Sequence, residues 1–273
     1  MLDRIPERYR EQSTRILQIL TWSERPLRIE EAVDFLAVNP VSQPGFDEQN
    51  RMPVPGEILR LCSSLVTITD EDENQTAQEI RLSHFSVKEY LTSDQLDERF
   101  RQSLCQAAAA ACIAGVSMTY LRHLEPKMSL KELRSKFPLS RYAARYWMSF
   151  TRHAGIGSAT VQEMAIRLLS DYKRLARWRS IYDPDEPWKD EPDMTAQLAQ
   201  PLYYASMEGL EYVTTALVDG GVAVNAQSGY YGNALQAACQ GGHEKVAEML
   251  IDNGAEVNAQ GGYYGNALQA ACW

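Results

Sequence analysis

The apolar positions of the first sixty residues recur at helical spacing. In residues 6–21 and 29–38 apolar side chains lie three or four positions apart, which is the spacing of one buried helix face. Residues 39–56 are rich in proline and glycine and favour a loop, and residues 57–61 predict a further short helix. On the first helix the predicted buried face consists of Tyr9, Ser13, Ile16, Leu17 and Leu20.

The pattern then changes to that of a β-hairpin. Apolar and polar residues alternate in residues 64–69 and 79–84, and the polar residues 70–77 between them predict the connecting turn. Ser86 and Glu89 have the spacing of a capping box, which predicts that a helix begins there. Helices followed by a hairpin and a returning helix form the outline of a winged-helix domain.

The last seventy residues contain an internal repeat. Residues 225–239 and 258–272 begin 33 positions apart and are identical at every position but one. The same offset aligns residues 201–225 with residues 234–258, so an earlier and more divergent unit precedes the two similar ones. A fixed period of this length is the mark of a repeat architecture.

Each unit predicts two short helices and a glycine-rich hairpin. Small apolar residues form the first helix, Gly241 and Gly242 interrupt it, and a second helix with apolar spacing runs towards Gly254. This unit resembles the ankyrin repeat, with residues 233–236, Asn-Ala-Leu-Gln, at the family's Thr-Pro-Leu-His tetrad. Asparagine can cap a helix, and the glutamine can donate a hydrogen bond to a neighbouring repeat.

The Gly-Asn-Ala-Leu-Gln variant resembles the ankyrin arrays of large filamentous-fungal proteins. One atypical unit, one full unit and the front half of a third are predicted, and the sequence stops at Trp273 where a second helix is expected. Since ankyrin units bury their faces only against each other, we expect the chain to be a piece of a longer protein.

The first half of the chain resembles a second set of family segments. Residues 22–38 and 80–91 (IRLSHFSVKEYL) are similar to the winged-helix segment that follows the NACHT nucleotide-binding module in fungal STAND, or NLR-like, proteins. Residues 137–154 resemble the helical region before the ankyrin arrays of those proteins. The resemblance implies that the repeats sense a ligand, and that the winged helix packs on a nucleotide-binding module and couples sensing to its switch.

Charge changes sign twice along the chain. Residues 1–100 have a net charge of −8, residues 101–180 of +10 and residues 181–273 of −11, which together give the −9 of the whole chain. The basic centre could bind an anion such as nucleic acid or a phosphoinositide, or its arginines could pair with the acidic flanks and stack on neighbouring aromatic rings. We favour pairing.

A winged helix with a net charge of −8 and a wing that carries residues 70–73, Asp-Glu-Asp-Glu, would be repelled by DNA, so we expect no nucleic-acid partner.

The sequence offers little catalytic chemistry. It has no Gly-x-x-x-x-Gly-Lys-Ser/Thr loop for phosphates, and His243-Glu244 lacks the second histidine of a zinc protease. His84 is expected to cap a helix or stabilise the hairpin. We therefore predict no enzyme activity, no catalytic or cofactor-binding residues, no cofactor and no metal.

Other motifs have structural interpretations. Cys105 and Cys112 are expected to share the buried face of one alanine-rich helix, and residues 155–158 to form a turn between helices. The acidic, proline-rich residues 183–193 fit no EF-hand and indicate a solvated linker. Five cysteines without a Cys-x-x-Cys motif, no signal peptide and no apolar run longer than residues 107–116 predict a cytoplasmic protein without a membrane span.

One surface motif is expected to bind a partner. Tyr230 and Tyr231 lie between two glycines, and Tyr263 and Tyr264 repeat the arrangement. By register with the ankyrin family these tyrosines lie at the hairpin tips, and tyrosine is a frequent interface residue. Either they bind a protein, or each tip merely packs on the next.

These observations predict a mainly α fold and a function. The predicted segments are a winged-helix-like domain (1–99), a helical connector (100–180), an acidic linker (181–200) and an incomplete ankyrin solenoid (201–273). The predicted function is a non-enzymatic protein–protein interaction module, the sensor part of an NLR-like signalling protein. The alternatives are part of an NTPase that is active only with an upstream P-loop module, and a free-standing ankyrin adaptor.

Overall fold

The structure, a computed structural model, describes residues 2, 5–62, 64–70, 78–193, 195 and 197–272. It divides into two compact units, Met1–Trp147 and Met148–Trp273, which are described separately. Most of the predicted turn with its acidic wing, residues 71–77, lies outside the described residues.

The first unit contains short helices and one small sheet. Its α-helices are α1 (Arg10–Trp22), α2 (Ile29–Ala37), α3 (Phe85–Thr92), α4 (Glu98–Leu104), α5 (Gln106–His123), α6 (Leu130–Lys136) and the first half of α7 (Ser140–Ala154), which crosses the boundary between the units. Its strands are β1 (Leu27–Arg28), β2 (Val66–Asp70) and β3 (Gln78–Leu82), and 3-10 helices span Glu7–Tyr9, Glu48–Asn50 and Pro55–Arg60.

The sheet has one strand more than the sequence predicted. The strand order is β1-β3-β2 and all pairs are antiparallel, with Ile80 of β3 opposite Leu27 on one side and Ile68 on the other. Ile80 and Leu27 are fully buried. Because β1 is only two residues long and follows a proline, it is too short to show an alternating pattern in the sequence.

A charged pair lies within this apolar core. Asp34 of α2 is buried and accepts two hydrogen bonds from the Arg51 guanidinium, at 2.5 and 3.1 Å, and another from the Tyr120 hydroxyl. Arg51 also donates to the Lys136 carbonyl at 2.7 Å. A buried carboxylate needs such partners to offset its lost hydration, and here they join α2 to three other segments of the unit.

The start of α3 corrects one prediction and confirms another. The predicted capping box at Ser86 is wrong, because α3 begins one residue earlier, at Phe85. The cap is His84, whose Nδ1 accepts the Ser86 backbone N–H at 3.2 Å. The capping role expected for His84 is therefore confirmed, and Ser86 lies inside the first turn.

The predicted pair of core cysteines is also wrong. α4 ends at Leu104, and Cys105 takes an extended conformation as the exposed N-cap of α5. Cys112 lies within α5 and is half-buried. The sequence suggests one continuous helix, but the chain bends by 47° between α4 and α5, so the two cysteines do not share a face.

No single helix among the described residues is long and apolar enough to cross a bilayer. The bent pair α4 and α5 reaches the required length and composition only when the two helices are taken together.

The second unit is helical. The predicted turn at residues 155–158 is confirmed, because it joins α7 to α8 and Gly155 has a positive φ of 72°. The remaining helices are α8 (Ala159–Ser170), α9 (Tyr172–Ile181), α10 (Pro201–Met207), α11 (Glu211–Asp219), α12 (Ala234–Gln240), α13 (Glu244–Asp252) and α14 (Ala267–Ala271).

The ankyrin-like arrangement follows from how these helices pack. α10 packs on α12 and α12 on α14, while α11 and α13 form the second layer. Asn233 and Asn266 cap α12 and α14 by accepting the backbone N–H groups of Gln236 and Gln269, each at 2.9 Å. Gln236 Nε2 donates to the Gly261 carbonyl of the next repeat at 3.0 Å, which confirms the predicted cross-repeat hydrogen bond.

Candidate partner-binding surface

The hairpin tips require glycine at their ends. Gly229 and Gly232 have φ values of 76° and 107°, a region that other residues rarely adopt. A Cβ atom on Gly229 would also lie 2.2 Å from the ring of Tyr203. The first tip therefore needs glycine for its backbone conformation and for its close approach to α10.

The second tip packs directly on the first. A Cβ atom on Gly262 would lie 1.9 Å from the Tyr231 carbonyl oxygen, so only glycine allows the two backbones to come this close. The Tyr263 backbone N–H donates to the Tyr230 carbonyl at 2.9 Å. The Gly-Tyr-Tyr-Gly motif thus forms a small, continuous ladder of tips.

The structure brings the four predicted tyrosines together in two stacked columns. The rings of Tyr230 and Tyr263 are 4.8 Å apart with 21° between their planes, and those of Tyr231 and Tyr264 are 5.9 Å apart and nearly parallel. Within each tip the two rings meet edge to face at 81°. The packing of each tip on the next, which was one of the two alternatives for these tyrosines, is therefore present.

This packing leaves one column accessible. Tyr230 is 39% exposed and Tyr263 65% exposed, whereas Tyr231 and Tyr264 are half-buried. Stacked phenol rings held by a rigid backbone lose little conformational entropy on binding, and each offers both an apolar face and a polar group. The exposed column of Tyr230 and Tyr263 is therefore the part of the tips that a partner could contact.

The acidic segment supports the tips, which corrects its interpretation as a solvated linker. Asp185 accepts the Tyr203 hydroxyl at 2.5 Å and the Tyr230 backbone N–H at 3.1 Å. The Tyr203 oxygen in turn accepts the Tyr231 N–H at 3.2 Å. Asp183 is buried and pairs with Arg179 at 2.5 Å. Composition suggested solvation, but these two carboxylates have fixed partners.

Burial sets the electrostatics of this support. It raises the pKa of Asp185 above its ordinary value, although the Tyr203 hydrogen bond opposes the shift. It also raises the pKa of Tyr203, to which the nearby Asp185 charge contributes. Tyr203 therefore remains a protonated donor, and its hydroxyl connects the acidic segment to the first tip.

The sequence analysis did not identify Tyr203 and Asp185 as residues that support the tips. For Tyr203, the register of the repeats contains a signal that could have done so. Tyr203 lies 33 positions before Gln236, and both side chains reach the hairpin of the following repeat. Position 203 is therefore a cross-repeat connector in the divergent unit. Asp185 precedes the repeats, and no spacing in the sequence relates it to the tips.

Burial raises the pKa of two thiols outside the tips, Cys62 and Cys239, which keeps them protonated at neutral pH. Within the part of the chain that the structure describes, no group of three or more histidine, cysteine, aspartate or glutamate side chains could hold a metal ion.

Several cations of the basic segment, residues 101–180, form ion pairs with carboxylates of the acidic flanks, which is the alternative that we favoured from the sequence. Lys136 lies 3.1 Å from Glu48 in the first unit, and Arg152 lies 3.6 Å from Glu208 in the second. Stacking on aromatic rings occurs as well, since the Arg145 guanidinium lies 5.4 Å from the centre of the Tyr146 ring.

Comparison with known families agrees with this architecture. Residues 3–103 match the model described as GPI inositol-deacylase, winged helix domain, and residues 178–261 match the model of ankyrin repeats in three copies. The chain carries a winged-helix domain of this type and ankyrin repeats. The predicted mainly α fold with these two parts is confirmed, and the ankyrin repeats imply protein–protein interaction.

A curated fungal protein is similar over most of this chain. The "Azaphilone pigments biosynthesis cluster protein L" of Monascus ruber is 38% identical over 257 residues, which are 87% of this chain and 54% of that protein. The chain thus spans about half the length of this relative. The ankyrin match begins within α9, upstream of the predicted start at residue 201.

Proposed function

We propose that this chain is a non-enzymatic interaction segment whose ankyrin tips bind a protein partner through Tyr230 and Tyr263, with Tyr231 and Tyr264 supporting them. The observation that carries the proposal is the exposed, stacked column of tyrosines on a backbone fixed by glycines and by Asp185. Aromatic side chains on a rigid support are typical anchors of protein interfaces.

We further propose that the chain acts in the cytoplasm as part of an NLR-like STAND protein, with the winged helix packed on a nucleotide-binding module. The resemblance of residues 22–38 and 80–91 to segments that follow NACHT modules supports this. So does α3, which exposes Phe85 and Tyr90 to solvent. Exposed aromatic side chains on one short helix favour a contact with another domain.

The tip hypothesis is tested by replacing Tyr230, Tyr231, Tyr263 and Tyr264 together with alanine. Proteins retained from a native lysate by the wild type and lost from the variant, as measured by quantitative mass spectrometry, are the expected partners. Tyr172→Ala is the matched control, because Tyr172 is an exposed tyrosine of α9 that belongs to neither tip.

A second variant guards against loss of folding. Tyr263→Glu adds a charge at the more exposed ring, which should abolish binding while the circular dichroism spectrum stays that of the wild type. Retention of every partner by both variants would remove the tips from the interface.

The non-enzymatic character is tested separately. The purified 273 residues should not turn over ATP, and Phe85→Ala with Tyr90→Ala should weaken binding to a nucleotide-binding module added in trans. ATP turnover by the chain alone would overturn the proposal. An immunoblot of the native protein with an antibody against residues 181–200 separates a large sensor from a free-standing adaptor.

A further inference from the structure

The first unit contains a cavity that none of the functions above uses. It has a volume of about 570 Å³ and lies where the beginning of α2 faces the first turns of α7. Pockets of this size hold small molecules. Arginines dominate its lining: Arg25, Arg28, Arg134, Arg141 and Arg145.

The charge of the lining is positive. Three carboxylates, Glu30, Glu31 and Glu79, accompany the five guanidinium groups. Glu31 accepts two hydrogen bonds from Arg25, at 2.5 and 2.8 Å, and one from the Arg28 backbone N–H at 2.8 Å. Glu79 accepts from Arg81, which is not part of the lining, at 2.8 Å. Two carboxylates are thus bound to cations, and the lining retains a net positive charge.

A helix N-terminus adds to this charge. Ser140 begins α7, a helix of fifteen residues, and Arg141 and Arg145 lie one turn apart on the same side of it. The N-terminal N–H groups of a helix carry a partial positive charge and favour anions, above all phosphate.

A buried hydroxyl also lines the cavity. Ser140 is 1% exposed, and its Oγ has no hydrogen-bond partner among the described residues. Folded proteins rarely leave such a group without a partner, because its lost hydration destabilises the fold. A ligand oxygen in the cavity would accept this hydrogen bond.

The base of the cavity is held in place. The buried Tyr142 hydroxyl lies 2.8 Å from Ser23 Oγ, and the Arg25 guanidinium lies 5.1 Å from the centre of the Tyr142 ring. Tyr146, next to it on α7, is half-buried and provides an aromatic face. An aromatic base that is fixed in this way is a suitable frame for a small ligand.

We propose that this cavity binds a phosphate-bearing small molecule. The Ser140 hydroxyl donates to a phosphate oxygen, and the guanidinium groups of Arg141 and Arg145 pair with the others, with Arg134 at the rim. Guanidinium is suited to this role because it offers two parallel N–H groups to two phosphate oxygens. This site is independent of the tyrosine tips.

Isothermal titration calorimetry with inorganic pyrophosphate and the full chain tests the proposal. The wild type should bind one pyrophosphate, more weakly as salt rises, and Arg141→Gln with Arg145→Gln should weaken binding at least tenfold. Arg167→Gln is the control, since Arg167 is an exposed arginine of α8 paired with Glu163 and does not line the cavity. No binding, or equal loss in the control, would overturn the proposal.

Two more measurements distinguish this site from a general anion surface. Ser140→Ala should weaken pyrophosphate binding about tenfold and at the same time raise the thermal unfolding temperature, because it removes a buried hydroxyl without a partner. A purely structural serine would change stability and leave binding unaltered, which contradicts the proposal. Citrate should bind much more weakly than pyrophosphate, and equal affinity would exclude a phosphate site.

Discussion

Residues 225–239 and 258–272 have almost the same sequence but different surroundings. Leu235 is 2% exposed in the first copy, and its counterpart Leu268 is 75% exposed in the second. The same contrast separates Gln236, which is buried, from Gln269, which is exposed. Local sequence therefore determines the helix and its cap in both copies, whereas burial depends on whether a further repeat packs alongside.

The hydrogen bonds follow the same division. Asn233 and Asn266 form equivalent caps with equal distances. Gln236 crosses to the Gly261 carbonyl, but no acceptor in another repeat faces Gln269 among the described residues. The free energy of unfolding of such an array thus has one contribution from each unit and another from each interface between units.

Replacing Leu235 and Leu268 in turn should give the largest difference in the free energy of unfolding between the two copies. Leu235→Ala should lower the free energy of unfolding by about 3 kcal/mol, since it opens a cavity between α12 and its neighbours. Leu268→Ala should change it by less than about 0.5 kcal/mol, because the side chain is exposed. Urea unfolding followed by circular dichroism measures both, and equal losses would show that the second copy is covered in solution.

Substitutions at two glycines can separate the effect of backbone conformation on stability from the effect of packing. Gly229 and Gly221 both have positive φ, at 76° and 85°, but only Gly229 lies against another residue, the ring of Tyr203. Gly221→Ala should cost about 1 kcal/mol for its backbone conformation. Gly229→Ala should cost about 2 kcal/mol more, because the added methyl group displaces the ring. Similar losses in thermal unfolding experiments would mean that the tip does not pack on α10.

Periodic parts of the fold were predictable from the sequence. The 33-residue period determined the helix pairs of the repeats, and register alone placed the four tip tyrosines together. Features without a period were predictable only in part. β1 is too short to form a pattern, and the capping-box spacing of Ser86 and Glu89 indicated the wrong start for α3, although a capping role was expected for His84.

The support of the candidate site was predictable only in part. Asp185 lies in a segment whose proline and acidic content indicates solvent exposure, yet it bonds to the backbone of Tyr230. A composition pattern cannot report such a contact, because its partner lies 45 positions away and is positioned by the tertiary fold. The role of Tyr203 could have been predicted from its register with Gln236, since both side chains form a hydrogen bond with the next hairpin.

One connection exists in the full repeat and has no equivalent in the divergent one. His243 Nε2 donates to the Met207 carbonyl at 3.0 Å, and its ring packs on Gly209, whereas the position 33 residues earlier is Leu210. Burial lowers the pKa of His243, and the positive charge of Arg152 contributes to the shift. The unfolded chain therefore binds a proton at a higher pH than the folded one.

This difference predicts the smallest effect, a pH dependence. The contribution of His243 to stability is complete above the unfolded pKa of about 6.5 and is lost as the pH falls towards the lower folded pKa. The slope cannot exceed about 1.4 kcal/mol per pH unit for one proton. Urea unfolding of the wild type and of His243→Gln between pH 5 and 8 measures it, with His153→Gln, an exposed histidine, as the control. The glutamine keeps a donor for Met207 but cannot titrate, so its profile should be flatter than the wild type's. If the His243→Gln profile were as steep, the pH dependence would arise elsewhere, and His243 would connect the repeats by packing and hydrogen bonding alone.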